Sequence, residues 1–245
     1  MKSKLYTTHS QDDPRNKHYH PVFNLLTRDE LSELLRFQTY IFYKKGQYIF
    51  LENSMPHYLF CVHSGKIKIF NTNSYDGKEQ ILHLVKDGDV LASMELITNK
   101  RSSCSAVALE DSYLYCIDKQ FFLGLLKKNT NFLLEIMRRM SNTLDAAENR
   151  IISMSQKTVR ERVAEALILF RDTYGVANDG QTLNVLFTRD EIANYVGAST
   201  EATIRLLAEF RQSKLIELNQ KKIKILDAGK LVNIAKLDFK DKEKE

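Results

Sequence analysis

The stretch TRDEIANYVGASTEATIRLLAEFRQSKL, residues 188–215, has the spacing of two amphipathic helices folded against each other across a single glycine. Ile192, Ala193 and Val196 supply an apolar face before it, and Ala202, Leu206, Leu207 and Phe210 supply another after it, at helical intervals. Gly197 suits the sharp turn, where a Cβ would carry a steric penalty. Ser199 is placed to cap the second helix through its hydroxyl. That leaves Thr200, Glu201 and Arg205 on its first turns, the part of a helix-turn-helix that meets base edges.

The segment that follows, LIELNQKKIKIL, carries two short β-prone runs, Leu215 to Leu218 and Ile223 to Leu226, around the polar turn Asn219, Gln220, Lys221 and Lys222. A basic-tipped hairpin directly after a helix-turn-helix is a wing, and lysines at its tip neutralise phosphates without reading sequence.

The chain of 245 residues has room for two modest domains, and 43% hydrophobic residues suffice for a core in each. A net charge of +5 permits nucleic-acid binding without requiring it. No apolar run reaches membrane-spanning length and the start MKSKLYTTHSQDDPRNKHYH lacks the apolar core of a signal peptide, so a cytoplasmic protein is expected. Cys61, Cys104 and Cys116 form no CxxC pair and fit reduced thiols. GxSxG, P-loop and HExxH motifs and paired carboxylates are all missing, so no catalytic residue is expected.

Residues 1–21 read as a loose polar arm in which His18 and His20 are expected to be solvated rather than to hold a metal. Thr27 to Phe37 reads as a capped helix with Leu31, Leu34 and Leu35 at helical spacing. From Tyr40 to Asp118 short β-forming runs alternate with turns at Lys45-Gly46, Asn53-Ser54, Ser64-Gly65, Asp76-Gly77 and Asp87-Gly88, the pattern of an antiparallel roll with an apolar interior.

Between Asn131 and Gln156, Leu133, Met137, Met140, Leu144, Ala147, Ile151 and Met154 recur at alternating steps of four and three, an a/d seam of a two-stranded coiled coil. Arg138, Arg139, Asp145, Glu148 and Arg150 border it with charge. Ser155, Gln156 and Lys157 interrupt the seam, which places a hinge there, and Val159, Val163, Ala166, Leu167 and Phe170 begin a new helical face. The expected class is α+β: a flexible arm (1–21), a β-roll sensor (22–128), a dimerisation helix with hinge (129–156), a winged helix-turn-helix (157–235) and a charged tail (236–245).

This order of parts, with Lys45-Gly46 and Ile49-Phe50, Ser64-Gly65-Lys66, Gly88-Asp89 and the segment from Thr188 through Ile216, resembles the CRP/FNR superfamily of transcriptional regulators over residues 25 to 230. The resemblance implies a cyclic-nucleotide-binding-like jelly roll, a homodimer on double-stranded DNA and contact with RNA polymerase. It places Glu201 and Arg205 at the two base-reading positions, where Arg205 would donate to the O6 and N7 of guanine and Glu201 would accept from a cytosine amino group. The resemblance also makes Thr188, Arg189, Ser199 and Lys221 the expected phosphate contacts, and a symmetric dimer should read an inverted repeat.

The sensing half departs from the family's cyclic-AMP pattern. Ala92-Ser93 stand where those receptors carry Gly-Glu for the ribose, and Ser102-Ser103 stand where they carry Arg-Ser for the cyclic phosphate, with Arg101 one residue out of place. Cyclic AMP is therefore not the expected effector. An iron–sulfur cluster is not expected either, since no cysteine precedes Cys61. Haem stays open through His83, with His57 and His63 on nearby segments, and Cys104 is the weaker idea of a thiol sensor. The other class of reading is a regulatory or protein-interaction subunit on the same roll, without specific DNA binding.

Overall fold

Alternation of apolar side chains along short strands builds the first half of the chain. In a computed structural model that describes residues 20–237, Gln38–Tyr43 (β1), Tyr58–Ser64 (β3), Val90–Leu91 (β6) and Ser112–Asp118 (β8) form one antiparallel sheet in the order β1-β8-β3-β6. Tyr48–Phe50 (β2), Ile67–Thr72 (β4), Glu79–Val85 (β5) and Ser105–Ala108 (β7) form a second in the order β2-β7-β4-β5.

Period-two geometry gives each strand of the first sheet two uses. Phe60, Val62, Leu114 and Cys116 pack with Phe50, Ile67, Ala106 and Ala108 of the second sheet. Their alternates Leu59, Cys61, Tyr115 and Ile117 pack with Val22, Phe23, Leu34, Phe122, Leu125, Phe132 and Ile136, from segments flanking the strands. Among them each valine, leucine, isoleucine or phenylalanine, fully buried, contributes roughly 1.5–3 kcal/mol. Gly65, at φ +119°, lies so close to Ser112 that a Cβ would meet its Oγ at 2.1 Å.

The flanking segments are a 3-10 turn, Pro21–Leu25, then the helices Arg28–Phe37 (α1), Ser93–Thr98 (α2), Lys119–Lys128 (α3) and Thr130–Gln156 (α4). Thr27 caps α1 in a capping box with Glu30, in agreement with the sequence, and Asp118, where the strand pattern ends, caps α3. Leu34 is buried and Leu35 is exposed.

His20 corrects the expectation of a solvated arm. It is 2% exposed; its Nδ1 accepts from Val22 N–H at 3.3 Å and its Nε2 donates to the Asp89 carbonyl at 3.1 Å. Burial lowers its pKa from the ordinary 6.5 to about 4, with the nearby Arg139 and His63 charges acting in the same direction. Residues 1–19, including His18, and the tail from residue 238 lie outside the described residues.

Helix α4 uses its apolar residues in two ways. Phe132 and Ile136 are buried and Met140 packs beside them in the core of the roll. Met137, Leu144 (59% exposed), Ile151 (68% exposed) and Met154 face outward, joined by Leu134 and Ile152; Leu133 and Ala147 are half-buried. The outward stripe is thus shifted from the seam drawn by heptad steps, because one regular repeat cannot separate two apolar faces on a single helix. Two bordering charges are not free either. Arg139 donates to Glu135 and to the Gly88 carbonyl, and Arg150 lies over the Tyr195 ring and donates to its carbonyl.

The described residues divide into two compact units, 20–71 with Leu82–Asp145, and Thr72–Ile81 with 146–237. The division falls inside α4, ahead of Ser155, Gln156 and Lys157. Ser153 donates to Glu165 and Lys157 pairs with the same carboxylate at 2.7 Å, so the end of α4 is held to the helix that follows. In the second unit that helix, Val159–Tyr174 (α5), is capped by Thr158 and Glu161 and buries Val163, Ala166, Leu167 and Phe170. After it come Arg189–Val196 (α6), Thr200–Gln212 (α7), a hairpin of Ile216–Asn219 (β9) and Lys222–Ile225 (β10), and Ala228–Ala235 (α8), whose Leu231 and Ala235 are buried. Lys236, just past α8, pairs with Glu161 at 2.6 Å.

Candidate DNA-binding interface

Local chemistry sets the angle between α6 and α7. Thr188 and Glu191 form a capping box at the start of α6. The Thr188 hydroxyl accepts from Glu191 N–H at 3.1 Å and donates to its carboxylate at 3.0 Å, so this expected phosphate contact is already engaged in the cap. Gly197 closes α6 at φ +66° and ψ +51°, the left-handed conformation that its lack of a Cβ permits, and an added Cβ would also meet Met154 Cε at 3.3 Å. The carbonyls at the end of α6 are gripped by guanidinium groups. Arg162 donates to Val196 at 2.8 Å and to Gly197 at 3.3 Å, beside the Arg150 contact to Tyr195. Cations at a helix C-terminus also oppose its dipole.

Ser199 caps α7 as its sequence suggests, its Oγ accepting from Ala202 N–H at 3.2 Å. A hydroxyl used as an acceptor keeps its proton, so the same Ser199 can donate to a phosphate. Thr203, Leu207 and Phe210 are buried on the inner face of α7. Glu201 and Arg205 stand exposed on its outer face, one helical turn apart, and among the described residues the structure gives neither a hydrogen bond nor an ion pair. An acceptor and a planar fork of donors are therefore presented side by side, without the cost of breaking prior contacts.

Two other expected contacts have partners within the fold. Thr200 Oγ1 donates to Asp190 at 2.7 Å, and Arg189 donates to the Gln220 carbonyl at 3.0 Å. Gln220 lies in the turn of the β9–β10 hairpin, where Asn219 pairs with Lys222. Arg189 thus ties the start of α6 to the wing, which leaves Lys221 exposed at the wing tip. The sequence reading missed the role of Asp190, whose carboxylate accepts from the Thr200 hydroxyl, and those of Arg150 and Arg162, which depend on carbonyl groups distant in the chain.

The effector-pocket residues are arranged differently. Ala92 opens α2 at φ +66°, a conformation costing a non-glycine residue roughly 1–2 kcal/mol. Ser93 begins the helix, and Glu95, two residues on, is buried. The Ser102 hydroxyl is buried within reach of the Glu95 carboxylate at 3.2 Å and the Cys104 carbonyl at 2.9 Å. Arg101 donates to the Asn53 carbonyl at 2.7 Å, and the Ser103 carbonyl accepts from Asn71 at 2.9 Å. An anion brought to this turn would meet a buried carboxylate, not a guanidinium. The Cys104 thiol is pushed up by burial, which disfavours the reactive thiolate. His83 is half-buried on β5, His57 is exposed, and His63 packs against Tyr40 and Tyr115 at 5.8 and 5.3 Å.

Residues 40–129 match the cyclic nucleotide-binding domain and residues 161–234 the Crp-like helix-turn-helix domain. The chain is 29% identical over 208 residues to the fumarate and nitrate reduction regulatory protein of Vibrio cholerae, covering 84% of this chain and 82% of that protein. It is 28% identical over 218 residues to the cyclic AMP receptor protein of Thermus thermophilus, covering 88% and 96%. The chain belongs to the CRP/FNR family of transcriptional regulators. The fold of this CRP/FNR regulator agrees with a crystal structure from Eubacterium rectale described as a regulator of that family, with a TM-score of 0.72 at 22% identity, covering 88% of this chain and 98% of the other. Sheets, long helices and helix-turn-helix occur in the expected order. Among the described residues, no helix is long and apolar enough to cross a membrane.

Proposed function

We propose that the chain acts as a cytoplasmic homodimer, without enzymatic activity, that binds an inverted repeat in double-stranded DNA and regulates transcription through RNA polymerase. The observation that carries this reading is the exposed Glu201 and Arg205 pair on the outer face of α7, with no partner among the described residues. The outward apolar stripe of α4 supports the dimer, since contiguous exposed apolar surface marks an interaction site. A symmetric dimer would read two half-sites about one helical turn, roughly 34 Å, apart. We infer that cyclic AMP is not the effector of the roll, since Ser102 stands where the resemblance puts the phosphate anchor and its hydroxyl lies beside the Glu95 carboxylate.

Selection of bound duplexes from a random pool tests the reading. The expected product is a symmetric site with a fixed guanine and a fixed cytosine in each half, bound with an affinity that falls steeply as salt rises. Binding that shows no dependence on sequence or salt would leave the interaction-subunit reading in its place.

A further inference from the structure

The carbonyl groups at the end of a helix have no partner within it, and at the end of α6 four in succession are taken by side chains from three other elements. Gln80 of β5 donates to Asn194 at 2.6 Å, Arg150 of α4 donates to Tyr195, and Arg162 of α5 donates to Val196 and Gly197. The two arginines also oppose the helix dipole, which a neutral amide does not. Both bonds of the Gln80 amide nitrogen go to carbonyls, Asn194 and, at 3.3 Å, Ile81, so its NH2 group must face α6. Its oxygen lies 3.6 Å from where a Cβ on Gly197 would stand, so the turn between α6 and α7 lies directly against this side chain.

The roll itself makes no demand for Gln80. Ile81 beside it is fully buried, and the period-two geometry of a strand turns Gln80 away from the face that Ile81 fills. From Gln80, β5 continues to Val85, which packs in the core shared by the two sheets. We infer that Gln80 is a positioning residue for DNA reading: by holding the Asn194 carbonyl it fixes α6, and with it α7, to strand β5, so that the two recognition helices of a dimer keep the spacing an inverted repeat requires. Gln80 touches no base. Helices α6 and α7 have their own buried residues, Ile192 and Val196, Leu207 and Phe210, so the bond to β5 sets where the pair stands and not how it is built. The inference rests on the DNA-reading role proposed above and adds to it a residue outside the helix-turn-helix.

The test uses the full chain with its selected operator and, as a second duplex, a single half-site flanked by random sequence. Gln80→Met keeps the length of the side chain and removes both donors, whereas Gln80→Lys supplies a donor again. Gln80→Met should bind the operator roughly fivefold more weakly per protomer, the effect of losing one neutral hydrogen bond. It should bind the single half-site as the parent does, because one α7 alone has no spacing to keep. An extra base pair between the half-sites should cost this variant less than it costs the parent, and Gln80→Lys should recover most of the operator affinity. A methionine variant that matches the parent on the operator, loses affinity equally on both duplexes or pays the parent's full penalty for the extra base pair overturns the inference, as does a lysine variant that behaves like the methionine one. In all those cases the parent still selects its operator, whereas a parent without sequence selection would remove the base-reading role itself.

Discussion

The face of α7 and the α2–β7 side of the roll are opposite solutions to the placement of polar groups. On α7, Glu201 and Arg205 are held out by a capped helix and bond to nothing among the described residues. In the roll, two of the residues expected to line an effector pocket are engaged by neighbours: the Ser102 hydroxyl lies beside the Glu95 carboxylate, and Arg101 donates to the Asn53 carbonyl. A displayed group keeps its full interaction for a partner, whereas a satisfied group must first give one up. The first region therefore declares its ligand chemistry, and the second declares mainly what it rejects.

If display is what matters, the largest effects should come from the displayed surfaces. Leu144→Asp sets two carboxylates facing each other across the α4 stripe, where they cannot both be desolvated. Light scattering should report monomers at micromolar concentration, and operator affinity should fall by orders of magnitude. A variant that stays dimeric would move the interface elsewhere. Arg205→Ala should come next, weakening operator binding by about 1–3 kcal/mol per half-site while binding to random DNA barely changes. An equal loss on both duplexes, measured by fluorescence anisotropy at one salt concentration, would reduce Arg205 to a phosphate contact.

The satisfied side is sharpened by acid. His20 is neutral in the fold at about pH 4 and above, but titrates near 6.5 when unfolded. Between those values the unfolded chain binds more protons. Its contribution is therefore complete above pH 6.5 and is lost as pH falls toward 4, up to about 3 kcal/mol in total. Denaturant unfolding from pH 7 to pH 4 should show that slope in the parent and a shallower one in His20→Gln. Equal slopes would assign the acid sensitivity to other groups.

The helix-turn-helix was legible because its signals are local. Thr188 and Ser199 act on backbone groups three residues away, and Gly197 answers a turn at its own position. The roll's strands were legible for the same reason, from alternation and turn residues. The α4 seam was only half legible. Heptad steps located its apolar residues, but whether Met140 faces the roll or Leu134 faces outward depends on what the helix lies against. His20 escaped notice because nothing in PRNKHYHP hints at the Asp89 carbonyl, 69 residues away, that receives its proton.

By itself the sequence determined the class of the protein, the order of its parts and the caps of α1, α6 and α7, since each follows from patterns a few residues long. Tertiary structure alone decided that Arg189 braces the wing, that Gln80, Arg150 and Arg162 hold the end of α6, and that Ser102 lies beside Glu95. Those outcomes depend on which carbonyl or carboxylate the folded chain brings within about 3 Å of a side chain, and hydrogen bonding and contact act only at that range.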